Sequence, residues 1–129
     1  MPRNVFVIAL DDFNRATMEA LPEFRRYAFH SLLPQGDVLK AESYDYEQLL
    51  VDANAELRAF DDTVDGIVTW WDFPSSGLAP VLSEHWDVYG PSLRSVCVLE
   101  HKYWSRLVQR AVANEHVPAF AAFDPFDDD

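Results

Sequence analysis

The sequence predicts an α/β domain built on an open, mainly parallel sheet. Val5-Phe6-Val7-Ile8-Ala9-Leu10 is an unbroken apolar run ending in Asp11-Asp12, the pattern of a central strand buried on both faces. Leu49, Leu50, Ala53, Leu57 and Phe60 repeat at three- and four-residue spacing with acids and Arg58 opposite them, the pattern of an amphipathic helix with one side on a sheet. Segments of these two kinds alternate along the chain, and alternation of strand and helix favours parallel pairing through right-handed crossovers.

The elements follow in order. After the first strand, Asp12 suits the N-cap of a short helix from about Phe13 to Ala20, which Pro22 ends. Arg26 to Leu32 reads as a second strand, although Glu23-Phe24-Arg25 also tolerates helix. Pro34-Gln35-Gly36-Asp37 is turn chemistry. The amphipathic helix runs from Asp45 to about Phe60, and Val64 to Trp70 is the third strand. A loop from Trp71 to Gly77 leads into a helix ending near Glu84, and Trp86-Asp87-Val88-Tyr89 is a brief fourth strand. Ser92 caps a helical stretch in which Val96, Leu99, Tyr103, Leu107 and Ala111 form one stripe, with a break near His101. Ala119 to Phe123 is read as a last strand.

Composition bounds what such a domain does. The 129 residues suffice for a real core, and 49% hydrophobic with 14% aromatic residues argues against disorder. No apolar run approaches the roughly 18 residues of a membrane span, and Met1-Pro2-Arg3-Asn4 runs straight into a strand without a signal-peptide pattern. A formal charge of −12 disfavours nucleic acid and anionic membrane surfaces as partners. The single cysteine, Cys97, cannot form an internal disulfide, which fits a cytoplasmic setting. Its apolar neighbours Val96 and Val98 suggest a buried, inert thiol. Part of the negative charge lies in the acidic tail Asp124 to Asp129, either a solvated end or a loop cut short.

In sheets of this kind ligands bind at the carboxyl ends of strands, where connections diverge to opposite faces. Two loops qualify, Asp11-Asp12 after the first strand and Asp72 to Ser76 after the third. The first lacks the glycine-rich turn of a dinucleotide fold, and two carboxylates there would repel phosphate. Asp11 and Asp12 suit an amine or a cation, or Asp12 serves only as a cap. Ser75 and Ser76 stand where a helix N-terminus holds carboxylate or phosphate, unless Ser75 is merely an N-cap. Trp70 and Trp71 read as core and rim packing rather than a stacking platform. His30, His85, His101 and His116 show no metal-ligand spacing, so no metal site is expected.

Tyr89-Gly90-Pro91-Ser92, then Glu100-His101-Lys102, Arg106-Leu107 and Val117-Pro118, resemble the junction at which ATP-grasp ligases pass from a Rossmann-like pre-ATP-grasp domain to their nucleotide-binding part. The order of elements follows the family over about residues 4–123, and the specific motif match spans 89–118. The resemblance implies a pre-ATP-grasp domain over 1–100 and the start of the ATP-grasp region over 101–129. It also implies a chain that stops before the nucleotide-gripping subdomains. Lys102 falls on the lysine that reaches ATP phosphates, a task that suits a compact ammonium on a long stem. Asp11, Asp72, Ser75 and Ser76 fall on the substrate side. Such enzymes use ATP and Mg2+ to turn a small carboxylate into an acyl phosphate that an amine then attacks. The family usually has Asp where this chain has His101.

The resemblance leaves the catalytic residues unknown, and the isolated chain is expected to be inactive, to bind ATP weakly or not at all, and to form a homodimer through surfaces that the absent subdomains would cover. A second reading, a flavodoxin-like receiver module using Asp11, Asp12 and Asp72, fits the length and the acidic pair. Against it, Asp72 falls beyond the end of the third strand, and Tyr103 rather than Pro follows Lys102.

Overall fold

A computed structural model describes residues 1–40, 42–124 and 126. The chain divides into two compact units, Met1–Leu93 and Arg94–Asp129.

The first unit is α/β, a three-stranded parallel sheet flanked by helices. Strand β1 (Arg3–Ile8) lies between β2 (Tyr27–Leu32) and β3 (Gly66–Thr69), in the order β2-β1-β3. Val5 aligns with Phe29 on one side and with Gly66 on the other. The central place of β1 explains its continuous apolar run, because successive side chains point to opposite faces and both faces are covered. Phe6 and Ile8 enter the larger core with Leu32, Ile67 and residues of helices α3 (Tyr46–Arg58) and α4 (Ser75–His85). Val7 enters the smaller core with Leu10 and Met18 of helix α1 (Asp12–Ala20). The predicted stripe of α3 is confirmed, since Leu49, Ala53 and Leu57 are buried. Asp45 caps that helix by accepting the Gln48 N–H at 3.0 Å.

Several boundaries differ from expectation for physical reasons. The cap of α1 is Asp11, not Asp12. Asp11 is extended and its Oδ1 accepts the Asn14 N–H at 2.7 Å, so Asp12 becomes the first helical residue. The segment after Pro22 is a 3-10 turn, Pro22–Arg26. The Pro34–Asp37 turn is instead the start of a short helix α2 (Gln35–Leu39), whose Val38 is fully buried. The fourth strand shrinks to one parallel bridge, Gly66 to Tyr89. Leaving α4, the chain passes through Asp87 at φ 51°, and the Val88 N–H is bonded to the Ser83 carbonyl, so only Tyr89 reaches the edge of β3.

The second unit holds helices α5 (Leu93–Glu100) and α6 (Lys102–Ala113) and a 3-10 turn, Asn114–His116. The expected break falls at His101, the N-cap of α6, whose Nδ1 accepts the Trp104 N–H at 3.4 Å. Neither helix buries a residue. Cys97 is therefore exposed, contrary to expectation. Three consecutive helical residues fan over about 200° and cannot share one face, so Val96 and Val98 do not shelter it. Residues 119–123 form no strand, since no neighbouring strand supplies a ladder among the described residues. Phe120 is held instead by the Arg110 guanidinium, 4.2 Å from its ring centroid, and by the edge of Tyr103.

Candidate functional site

The switch point of the sheet lies between β1 and β3. Helix α1 leaves β1 toward the smaller core and α4 leaves β3 toward the larger one, so their loops diverge at the carboxyl end. This is where Asp11, Asp12, Asp72, Ser75 and Ser76 were expected, and each is found in one of these two loops or in the first turn of the helix that follows it. Strand β1 ends at Ile8, the following Ala9 adopts φ 52°, and the Trp71 indole N–H donates to the Ala9 carbonyl at 3.1 Å. Trp71 thus ties the two loops together across the crevice. Trp70 leans the other way and donates to Met18 Sδ at 3.3 Å. Both indoles sit on the rim, with Trp70 about half exposed.

The polar groups here divide into those already engaged and those facing outward. Asp11 is engaged, since both of its carboxylate oxygens accept from Asn14, one from the backbone N–H and one from the side-chain amide. The Asn14 backbone N–H holds the Asp11 carboxyl below the usual carboxylate range, against an opposing desolvation effect. Asp12 and Asp72 are exposed. Ser75 is the first residue of α4, after Pro74 at the cap, and is fully buried. Its hydroxyl contacts the carbonyls of Trp71 and Asp72 and accepts from the Thr69 hydroxyl at 3.0 Å. The N–H groups of Ser75 and Ser76 donate to the Asp72 carbonyl, and those of Gly77 and Leu78 to Pro74. The first turn of α4 therefore spends its donors on its own loop. The Ser76 hydroxyl differs, being buried and without a hydrogen-bond partner among the described residues. Among those residues, no group of three or more His, Cys, Asp or Glu side chains converges as a metal site.

Lys102 stands in the second unit, at the first position of α6. It lines a cavity of about 480 Å3 together with His101, Arg106, Tyr103, Phe120 and Phe123. Arg106, one turn beyond Lys102, belongs to the quoted motif but was assigned no role from the sequence. The signal for it was its i+4 spacing on a helix whose apolar stripe was already legible. Its Nη1 donates to Gln109 Oε1 at 2.6 Å, and neither cation is ion-paired among the described residues. Among the described residues, no Asp or Glu lines the cavity. A lining of aromatic rings and cations suits an anion with an apolar body, and the pair of cations fits a phosphate-bearing group.

The Gly90 of the Gly-Pro-Ser element has a local explanation. A Cβ there would lie 2.6 Å from Ser83 Oγ and 2.8 Å from Ser83 Cβ. Ser83 is buried and its hydroxyl donates to the Ile67 carbonyl at 3.2 Å. Only a residue without a side chain lets the chain pass this close to α4 beside the Gly66–Tyr89 bridge.

No helix among the described residues is long and apolar enough to cross a membrane. In comparisons with family models, curated proteins and solved structures, nothing matches this chain.

Proposed function

We propose that the chain is the substrate-side, pre-ATP-grasp domain of an ATP-dependent carboxylate–amine ligase, with the nucleotide-gripping subdomains supplied by further chain. The observation that carries this reading is Lys102, the first residue of α6, in the lining of a cavity formed by cations and aromatic rings and, among the described residues, by no carboxylate. It stands at the spacing from Gly90-Pro91-Ser92 and Val117-Pro118 that the resemblance rests on. In this reading Lys102 holds a phosphate group of ATP, and pre-placed positive charge there offsets the charge that builds up during phosphoryl transfer. The carboxyl end of β1 and β3 is the substrate side, where the exposed carboxylates Asp12 and Asp72 suit the amine. Asp11 and Ser75 hold the two loops in shape.

The test is to read the gene beyond the codon for Asp129, express the whole reading frame, and assay ADP release with ATP, Mg2+ and a panel of small carboxylates and amines. Ligation is expected from the whole protein, with a large loss in Lys102→Ala, and none from the 129-residue chain alone. A frame that ends within a few codons of Asp129, a whole protein that releases no ADP, or turnover by the short chain would each overturn the reading.

A further inference from the structure

Beside Lys102, the cavity of the second unit is lined by a second cation, Arg106, and neither has an ion-pair partner among the described residues. Lys102 and Arg106 are four residues apart on α6, so they lie one above the other on one face, with about 5–6 Å between Cβ atoms. Both line the same cavity, and the acids nearest in sequence, Glu100 and Asp124, do not line it. Arg106 is held by a neutral partner, Gln109, on the turn that follows. That contact orients the guanidinium without cancelling its charge and leaves its remaining N–H donors for a ligand. Arg110, the next cation along the helix, is committed to the face of Phe120. The pair Lys102 and Arg106 is thus the part of this cationic stripe that faces an open volume.

We propose that Lys102 and Arg106 together form a site for a di- or triphosphate group, in which Arg106 is a phosphate-binding residue in its own right. The part played by Lys102 rests on the ligase reading. The part played by Arg106 comes from the cavity alone. Two cations a helical turn apart fit neighbouring phosphoryl groups better than a single monoanion, because each engages its own oxygens. The planar fork of Arg106 adds paired hydrogen bonds that an ammonium lacks.

The experiment titrates the isotopically labelled 129-residue chain with inorganic pyrophosphate and follows backbone and arginine side-chain resonances. Saturable shifts are expected at Lys102, Arg106 and Tyr103, weakening as salt rises. Arg106→Gln keeps a long polar stem and is expected to weaken binding about tenfold, as loss of a charge-assisted contact implies. Gln109→Glu leaves Arg106 in place and sets a carboxylate against it, and is expected to weaken binding similarly. Unchanged resonances elsewhere in α6 exclude loss of the helix as the cause. Absence of saturable shifts at these residues, or wild-type affinity in both variants, overturns the proposal. Pyrophosphate binding that depends on Arg106, in a protein whose whole reading frame releases no ADP, leaves this site standing and removes the ligase reading. Ligation that is indifferent to Arg106→Gln does the reverse.

Discussion

Asp11 is the residue whose ionisation is visibly coupled to the fold. Its folded pKa is depressed, chiefly by the Asn14 backbone N–H. The cap therefore contributes stability at pH above the unfolded carboxylate value, about 4, and loses it as pH falls through the lower folded value. Asp11→Asn keeps a capping side chain but removes the charge. It is expected to flatten the fall in Tm between pH 5 and pH 2, measured by thermal melts, with little change near neutrality. A fall as steep as that of the wild type would show that Asp11 is not part of the acid transition. Gly77 is the second informative residue. A Cβ there would meet the Tyr46 hydroxyl oxygen at 2.7 Å, while the next ring atom lies at an ordinary 3.7 Å. Gly77→Ala is expected to cost about 1–3 kcal/mol through overpacking. The cost should shrink clearly when it is measured in a Tyr46→Phe background, and equal cost in both backgrounds would remove the clash as the explanation.

At the scale of elements, α6 begins on a weak cap. The His101 Nδ1 reaches the Trp104 N–H only at 3.4 Å, with the imidazole stacked on the indole at 4.3 Å. A carboxylate is a better acceptor at that position and also favours the positive end of the helix. His101→Asp is expected to stabilise α6 by about 0.5–1 kcal/mol. The measurement is amide exchange in residues 102–106, which should slow, and unchanged exchange would show that stacking rather than capping fixes the helix start. The loss of the last predicted strand belongs to this scale too. The apolar run Ala-Phe-Ala-Ala-Phe at 119–123 reads as a buried strand, but a strand exists only with a neighbour to share its hydrogen bonds.

For the whole molecule, the distribution of apolar surface and charge points to self-association. The stripe Trp104, Leu107, Val108 and Val112 of α6 is exposed, Val112 by 81%. In the first unit, the sheet face beside α1 keeps an open apolar groove of about 410 Å3 lined by Val5, Phe29, Val68 and Trp70. Among the described residues, strand β2 is an edge strand with only β1 beside it. Exposed apolar surface on either unit favours association, and salt that screens the charge of −12 over about 8–10 Å assists it. The 129-residue chain is expected to sediment as a dimer whose dissociation constant falls as salt rises. Val108→Glu in the stripe should shift it toward monomer. A monomer at high protein and high salt concentration would count against this reading.

Alone, the sequence determined the elements that local pattern controls. The apolar run from Val5 read as a strand covered on both faces and forms one as far as Ile8, the 3.6-residue repeat of Leu49, Ala53 and Leu57 read as a helix on a core, and the break at His101 was legible beside a continuous stripe. It also located the two loops at the carboxyl end of the sheet. What needed tertiary structure was everything decided by a partner distant in sequence. Tyr89 pairs with Gly66 by one bridge because Val88 is already bonded to Ser83. Ser75 and the first turn of α4 are spent on the Asp72 loop, so a helix start that looked ready for an anion is already engaged. Cys97 is exposed because its unit buries no helical side chain. Arg106 joined Lys102 only once α6 and the segment at Phe120 enclosed a common volume. Local periodicity fixes which face of an element is apolar. It carries no information on which polar groups find each other across the fold, and those pairings decide where a ligand can bind.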